Sequence, residues 1–209
     1  MKKKIIGIII VIALVVGGMG AYYFTHRGGS VGISHTIKNE NHKTAQLKKY
    51  KDKKVLVVYF SETGNTQKYA KEVSDQVGGD FRRIETVKAY PKGNKLYDYT
   101  EKEKDKDARP QLKDMDINMD DYDVIFIGYP IWWYTLPMPL YSFFDQYDLS
   151  HKTIIPFNTH EGSGDGGTYS TIKELEPNAT VLEGLPIRGG DMKKDQKTKI
   201  INWLNKLKV

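Results

Sequence analysis

Cysteine is absent from this 209-residue chain. That absence removes disulfides, thiolate metal sites and cysteine nucleophiles together, and it is compatible with an oxidising compartment without requiring one. Histidine is scarce, with only His26, His35, His42, His151 and His160. His151 does not stand at a usual metal-ligand spacing from His160, so no metal is expected. The triphosphate loop G-x-x-x-x-G-K-[ST] is missing. A serine-hydrolase elbow is missing in any usable place, because the neighbours of Ser163 do not fit G-x-S-x-G. The one letter match, Gly28 to Gly32, has no strand before it.

Charge of one sign is also lacking over most of the chain. The net charge of +6 is misleading when read whole. Residues 1–54 carry eleven Lys/Arg against Glu40 and Asp52, a net of +9, whereas residues 55–209 hold 21 basic and 24 acidic side chains, a net of −3. Nucleic-acid binding calls for a basic footprint on the domain itself, so it is not expected. A basic arm beside an apolar segment fits anionic lipid or cell-envelope polymer better.

That apolar segment is Ile5 to Phe24, twenty residues without a charge after Lys2-Lys3-Lys4. As a helix it would span about 30 Å, the thickness of the hydrocarbon core. Tyr22-Tyr23-Phe24 would form an interfacial aromatic belt. The competing reading is a cleaved signal peptide, with Gly18, Gly20 and Ala21 as small residues near a cleavage point. The expectation is an uncleaved signal anchor over 1–27 that leaves the domain outside the membrane. Secretion after cleavage is the alternative. Residues 28–53 read as a basic linker with little hydrophobic periodicity, and 54–209 as one domain.

Within that domain the pattern alternates strand and helix. Val55 to Phe60, Val124 to Gly128 and Thr153 to Asn158 are near-continuous apolar runs, as expected of strands buried on both faces. Phe81 to Val87 and Thr180 to Leu182 are weaker strands. Helical stretches fall at 66–77, about 137–147, 168–175 and 193–207. Alternation of this kind implies an α/β fold, a three-layer sandwich around a parallel sheet. The expected order is 2-1-3-4-5, with ligand at the carboxyl ends of strands 1, 3 and 4. The stretch Tyr90 to Met119 reads as a solvated helix ended by Arg109-Pro110, an exposed connector rather than a lid.

The richest motif follows the first strand: Ser61-Glu62-Thr63-Gly64-Asn65-Thr66. Hydroxyls of Ser61, Thr63 and Thr66, the Asn65 amide and the next helix's amino terminus supply donors around one turn-permitting glycine. With no lysine present, the chemistry suits a single phosphate monoester held by dipoles. Gly162-Ser163-Gly164-Asp165-Gly166-Gly167 matches G-x-G-x-x-G by letter. Thr159, His160 and Glu161 nevertheless separate it from the fourth strand, a poor context for a dinucleotide fingerprint.

Together these motifs resemble the flavodoxin-like family. Ser61-x-Thr63-Gly64-Asn65-Thr66 resembles its FMN-phosphate loop. Gly128-Tyr129-Pro130-Ile131-Trp132-Trp133-Tyr134 resembles the loop that stacks on one flavin face, and Thr159-His160-Glu161-Gly162-Ser163-Gly164 the second flanking loop. The resemblance runs from about Lys54 to the carboxyl terminus and implies a flavodoxin-like fold with five parallel strands, preceded here by the apolar helix. It implies FMN as cofactor, held by Ser61, Thr63, Gly64, Asn65, Thr66, Pro130, Ile131, Trp132, Trp133, Thr159, His160, Glu161, Gly162, Ser163 and Gly164. Trp132 is expected to stack on the ring ahead of Trp133, with loop 159–164 meeting the pyrimidine edge. The implied function is a membrane-tethered electron carrier serving a redox partner protein or a small acceptor. An FMN-dependent NAD(P)H:quinone or small-acceptor reductase and a non-catalytic cell-envelope module are the alternatives. The weakly acidic domain favours the carrier less than a strongly acidic one would.

Overall fold

The structure, a computed structural model, describes residues 46–209. The proposed anchor and the linker up to residue 45 lie outside the described residues. Among the described residues, no helix is long and apolar enough to cross a membrane.

The elements follow in order β1 (Val55–Tyr59), α1 (Asn65–Val77), β2 (Asp80–Arg83), α2 (Lys95–Asp105), β3 (Val124–Pro130), α3 (Met138–Gln146), β4 (Thr153–His160), α4 (Thr168–Leu175), β5 (Thr180–Val181), β6 (Leu185–Arg188) and α5 (Lys197–Lys206). All strand pairs of the sheet are parallel, and the order is β2-β1-β3-β4-β5, as the sequence pattern implies.

Side chains alternate across each strand, so one strand feeds two cores. Leu56, Val58, Ile125, Ile127 and Ile154 pack with Leu140, Phe143 and Ile172 beneath α3 and α4. Val55, Val57, Val124, Phe126 and Ile155 pack with Tyr69, Val73, Ile200 and Leu204 beneath α1 and α5. Both faces are thereby covered, and this is why the central strands show no polar alternation.

Three expectations need correction. The sheet has six strands rather than five: β6 pairs with the outer half of β4 while β5 pairs with its start, so two short strands share the fifth position. The second strand is shorter than Phe81 to Val87. Beyond Arg83 the chain peels away, and Thr86 bridges Leu112 in antiparallel fashion. Finally, the linker does not run unpacked to residue 53. Tyr50 is fully buried against Phe126, with its hydroxyl donating to Leu204 O at 3.2 Å, and Leu47 N donates to Gln76 O at 2.8 Å. One aromatic ring without a periodic neighbour leaves little pattern to read, so this docking is invisible in the linear chain.

Candidate functional site

Strands β1, β3 and β4 end on one edge of the sheet, and three segments rise from that edge. The first is the turn into α1. Ser61 is buried, and its Oγ accepts from Gly64 N at 3.2 Å. Gly64 has φ +89 and open space where a side chain would stand, so the turn needs glycine and stays accessible. Thr63 is exposed and Asn65 half-buried, while Thr66 is buried with its hydroxyl 2.7 Å from that of Thr159.

Ser61 to Thr66 themselves carry no cationic side chain. Arg83 donates from Nη2 to Ser61 O at 2.7 Å and pairs with Glu62 at 3.7 Å. Glu62's carboxyl is pushed up mainly by burial, against the pull of Arg83. The helix-start N–H groups and the exposed Thr63 hydroxyl therefore supply the donors at the surface of the turn, a set matched to an anion with several acceptor oxygens.

The second segment continues β3. Pro130 is the last strand residue rather than a loop residue, and Ile131 N donates to Thr159 O at 2.8 Å. Trp132 is half-buried, edge-on to Phe60 and to Tyr90 with centroids 5.2 and 5.6 Å away. Trp133 does not join it. Its Nε1 donates to Thr100 Oγ1 of α2 at 3.0 Å, so the two adjacent indoles serve different neighbours. Trp132 and Thr135 exchange backbone hydrogen bonds across a turn in which Trp133 and Tyr134 have φ +54 and +58. Consecutive positive φ is the pattern of a type I′ turn, which favours Asn and Gly and costs bulky residues about 1–2 kcal/mol each. Strain of this kind concentrates at functional sites.

The third segment follows β4. The strand runs on to His160, so Thr159 and His160 are strand residues, again longer than the apolar run indicates. His160 Nδ1 accepts from Gly162 N at 2.9 Å, and its pKa is lowered mainly by burial, with Lys199 and Arg188 reinforcing that shift against the opposing pull of Glu161 and Asp191. Asn65 and Glu161 are brought together around Gly189, where a Cβ would lie 2.5 Å from Glu161 Oε1 and 2.9 Å from Asn65 Nδ2. Ser163 and Gly164 are half-buried, and Gly164 O turns inward to accept from Asn158 Nδ2 at 2.9 Å.

Several organising residues escape sequence reasoning. Asn158 is fully buried and bridges Gly164 to Tyr169, whose hydroxyl donates to Asn158 Oδ1 at 2.6 Å. Thr168 Oγ1 donates to Asp165 O at 2.6 Å and lies 2.9 Å from the Tyr129 hydroxyl. One signal existed for Asn158: an amide directly after the apolar run Ile154 to Phe157, where a core strand would otherwise continue. Arg83 and Gly189 gave none, since their contacts bridge distant parts of the chain. Among the described residues, no group of acidic and histidine side chains is arranged to hold a metal ion.

A family model described as flavodoxin matches residues 54–207. No curated protein matches the chain at a significant level. Among solved structures, a candidate flavoprotein from Bacteroides eggerthii DSM 20697 is 31% identical over 74% of this chain and 97% of its own, with a TM-score of 0.66. A candidate flavoprotein from Bacteroides uniformis ATCC 8492 is 29% identical over 74% and 99%, with a TM-score of 0.67. A flavoprotein from Lactobacillus acidophilus NCFM, solved in complex with FMN, shares the fold at 21% identity over 68% and 97%, with a TM-score of 0.57.

Proposed function

We infer that this chain, which belongs to the flavodoxin family, binds FMN at the edge formed by β1, β3 and β4 and serves as an electron carrier tethered to a membrane. One observation carries the cofactor assignment. The neutral, hydroxyl-lined turn at Ser61–Thr66 is joined through the Thr66–Thr159 contact to the strand end that begins the second flanking loop. A phosphate site and a site for a planar ring then lie on one continuous rim. The residues fit a phosphate monoester: Thr63 and Gly64 are exposed, the helix start supplies N–H donors, and Arg83 is engaged from behind with Ser61 O and Glu62. Bound FMN supplies the redox chemistry, and the protein's part is to hold and screen it. Ser61, Thr63, Asn65 and Thr66 would hold the phosphate. Ile131, Trp132 and the loop after His160 would flank the ring.

The tether rests on the apolar run Ile5–Phe24 behind three lysines. The domain would then work at the outer face, with a redox protein or small molecule as acceptor. A second reading, direct use of a nicotinamide donor, draws on one feature: β4 reaches His160, so a single residue separates it from the glycines of 162–167. Against it, α4 has only eight residues and just two short strands follow.

The assignment is checked with Thr63→Val. Losing one phosphate donor should weaken FMN by about fivefold or more, as the removal of a charge-assisted hydrogen bond implies. Riboflavin, lacking the phosphate, should bind as before, and equal losses for both would refute the phosphate site. Negligible NADH or NADPH oxidation without a partner supports the carrier over the reductase. Retention in membranes after a high-salt wash, with the domain lost to protease added to protoplasts, supports the tether.

A further inference from the structure

The connection between β2 and β3 folds around a cavity of about 480 Å³ that the cofactor reading leaves unused. Val87, Ala108 and Pro110 line it with apolar surface, and Lys88, Lys102, Lys106 and Arg109 surround it against one acid, Glu103. The neighbours of Arg109 and Glu103 account for them. Arg109 bonds Asp107 and Asp145 at 2.6 Å each and lies over the Tyr141 ring, while Glu103 accepts from the Tyr90 hydroxyl at 2.5 Å. Lys88, Lys102 and Lys106 form no ion pair among the described residues.

Three unpaired ammonium groups in one concavity are unusual in a domain whose net charge over 55–209 is −3. Lysines near the end of α2 complement the helix dipole, but that dipole supplies only about half a negative charge. It also explains neither the hollow nor Tyr99, whose ring lies 5.3 Å from Lys88 Nζ on the cavity wall. Lys102 and Lys106 stand four residues apart and so project from the same side of α2.

We propose that this cavity binds an organic anion bearing an aromatic ring, the chemistry of a nucleoside phosphate. The phosphate sits among Lys88, Lys102 and Lys106, which act as point charges. The ring lies against Tyr99 and the apolar wall of Val87 and Pro110. The volume falls in the range of about 300–1,000 Å³ common for small-molecule sites. Tyr90 stands between this cavity and Trp132, bonding Glu103 on one side and packing edge-on to the indole, 5.6 Å between centroids, on the other. A ligand here is therefore separated by the Tyr90 ring from a ring held at Trp132. The site is independent of the FMN assignment.

Calorimetric titration of the full chain at low salt, with and without excess FMN, tests this. ADP should bind at one site with a Kd of about 1 mM or tighter in both cases, with adenosine and inorganic phosphate each at least about tenfold weaker. Lys102→Gln/Lys106→Gln should weaken ADP by about tenfold or more, since both charges face the phosphate. These lysines are exposed, and an unchanged thermal midpoint of the variant confirms its folding; Lys88→Gln provides the second variant. Phosphate binding as tightly as ADP would reduce the site to a bare basic patch and overturn the proposal. Undetectable ADP binding, ADP affinity unaltered in both variants, or complete displacement of ADP by FMN would overturn it equally.

Discussion

The hydroxyls of Thr66 and Thr159 lie 2.7 Å apart with both side chains buried. The contact spans 93 residues of sequence and fastens the first turn of α1 to the end of β4. The phosphate turn and the loop flanking the ring site are thus set relative to each other before any ligand arrives, which lowers the ordering cost of binding.

Breaking that pair should be asymmetric. Thr66→Val or Thr159→Val alone leaves the other hydroxyl buried without its partner and should cost about 1–3 kcal/mol. The double variant removes both polar groups and should cost clearly less than the sum. Urea denaturation of the four proteins gives the coupling energy, and strict additivity would mean that the two hydroxyls do not depend on each other.

Tyr169→Phe should loosen the glycine loop rather than the sheet. The substitution leaves Asn158 Oδ1 buried without its 2.6 Å donor, so Asn158 holds Gly164 O less firmly. Amide exchange across 161–167 should accelerate by about tenfold or more, an opening free energy lower by about 1.4 kcal/mol. Exchange in β3 should stay unchanged, and uniform acceleration across the domain would indicate global destabilisation instead.

Glu176 should make the domain less stable as pH rises through the weakly acidic range. Burial, with Asp148 adding repulsion, pushes its pKa from 4.5 up to about 7. Between those values the folded state holds a proton that the unfolded chain has lost, so this group's stabilising contribution is complete below about pH 4.5 and declines until about pH 7. Glu176→Gln should remove that decline. Denaturation midpoints of both proteins at pH 5 and pH 8 check it, since the gap between them should differ at the two pH values in favour of the variant at pH 8.

Tyr134→Asn should stabilise the ligand-free domain. Tyr134 is 79% exposed, so little burial is lost, and φ +58 suits asparagine far better than tyrosine. A gain of about 0.5–1 kcal/mol is expected from relief of strain. If the tyrosine is held there for ligand contact, the same variant should bind FMN more weakly. A stabilised protein with unaltered FMN affinity would leave the strain without a role in that site.

Much of this architecture is legible along the chain. The runs Val55–Tyr59, Val124–Ile127 and Ile154–Phe157 are apolar throughout, as strands covered on both faces are, and their alternation with helical stretches implies parallel pairing. The donor-rich turn and the start of α1 are equally local, because an amino-terminal anion site is built from consecutive residues. Composition by itself also excludes disulfides and thiolate chemistry.

Contacts between residues far apart in the chain are a different matter. Trp132 and Trp133 are adjacent and chemically identical, yet one packs on Phe60 and Tyr90 while the other bonds Thr100, and only the path of the β2–β3 connection separates them. The docking of Tyr50 beneath α5, the division of the outer strand into β5 and β6, and the bridge from Tyr169 through Asn158 to Gly164 arise in the same way. Local pattern determines which residues must be buried or can turn. Which buried residues meet depends on chain path and on the pairing of polar groups across it, and these exist only once the sheet has closed.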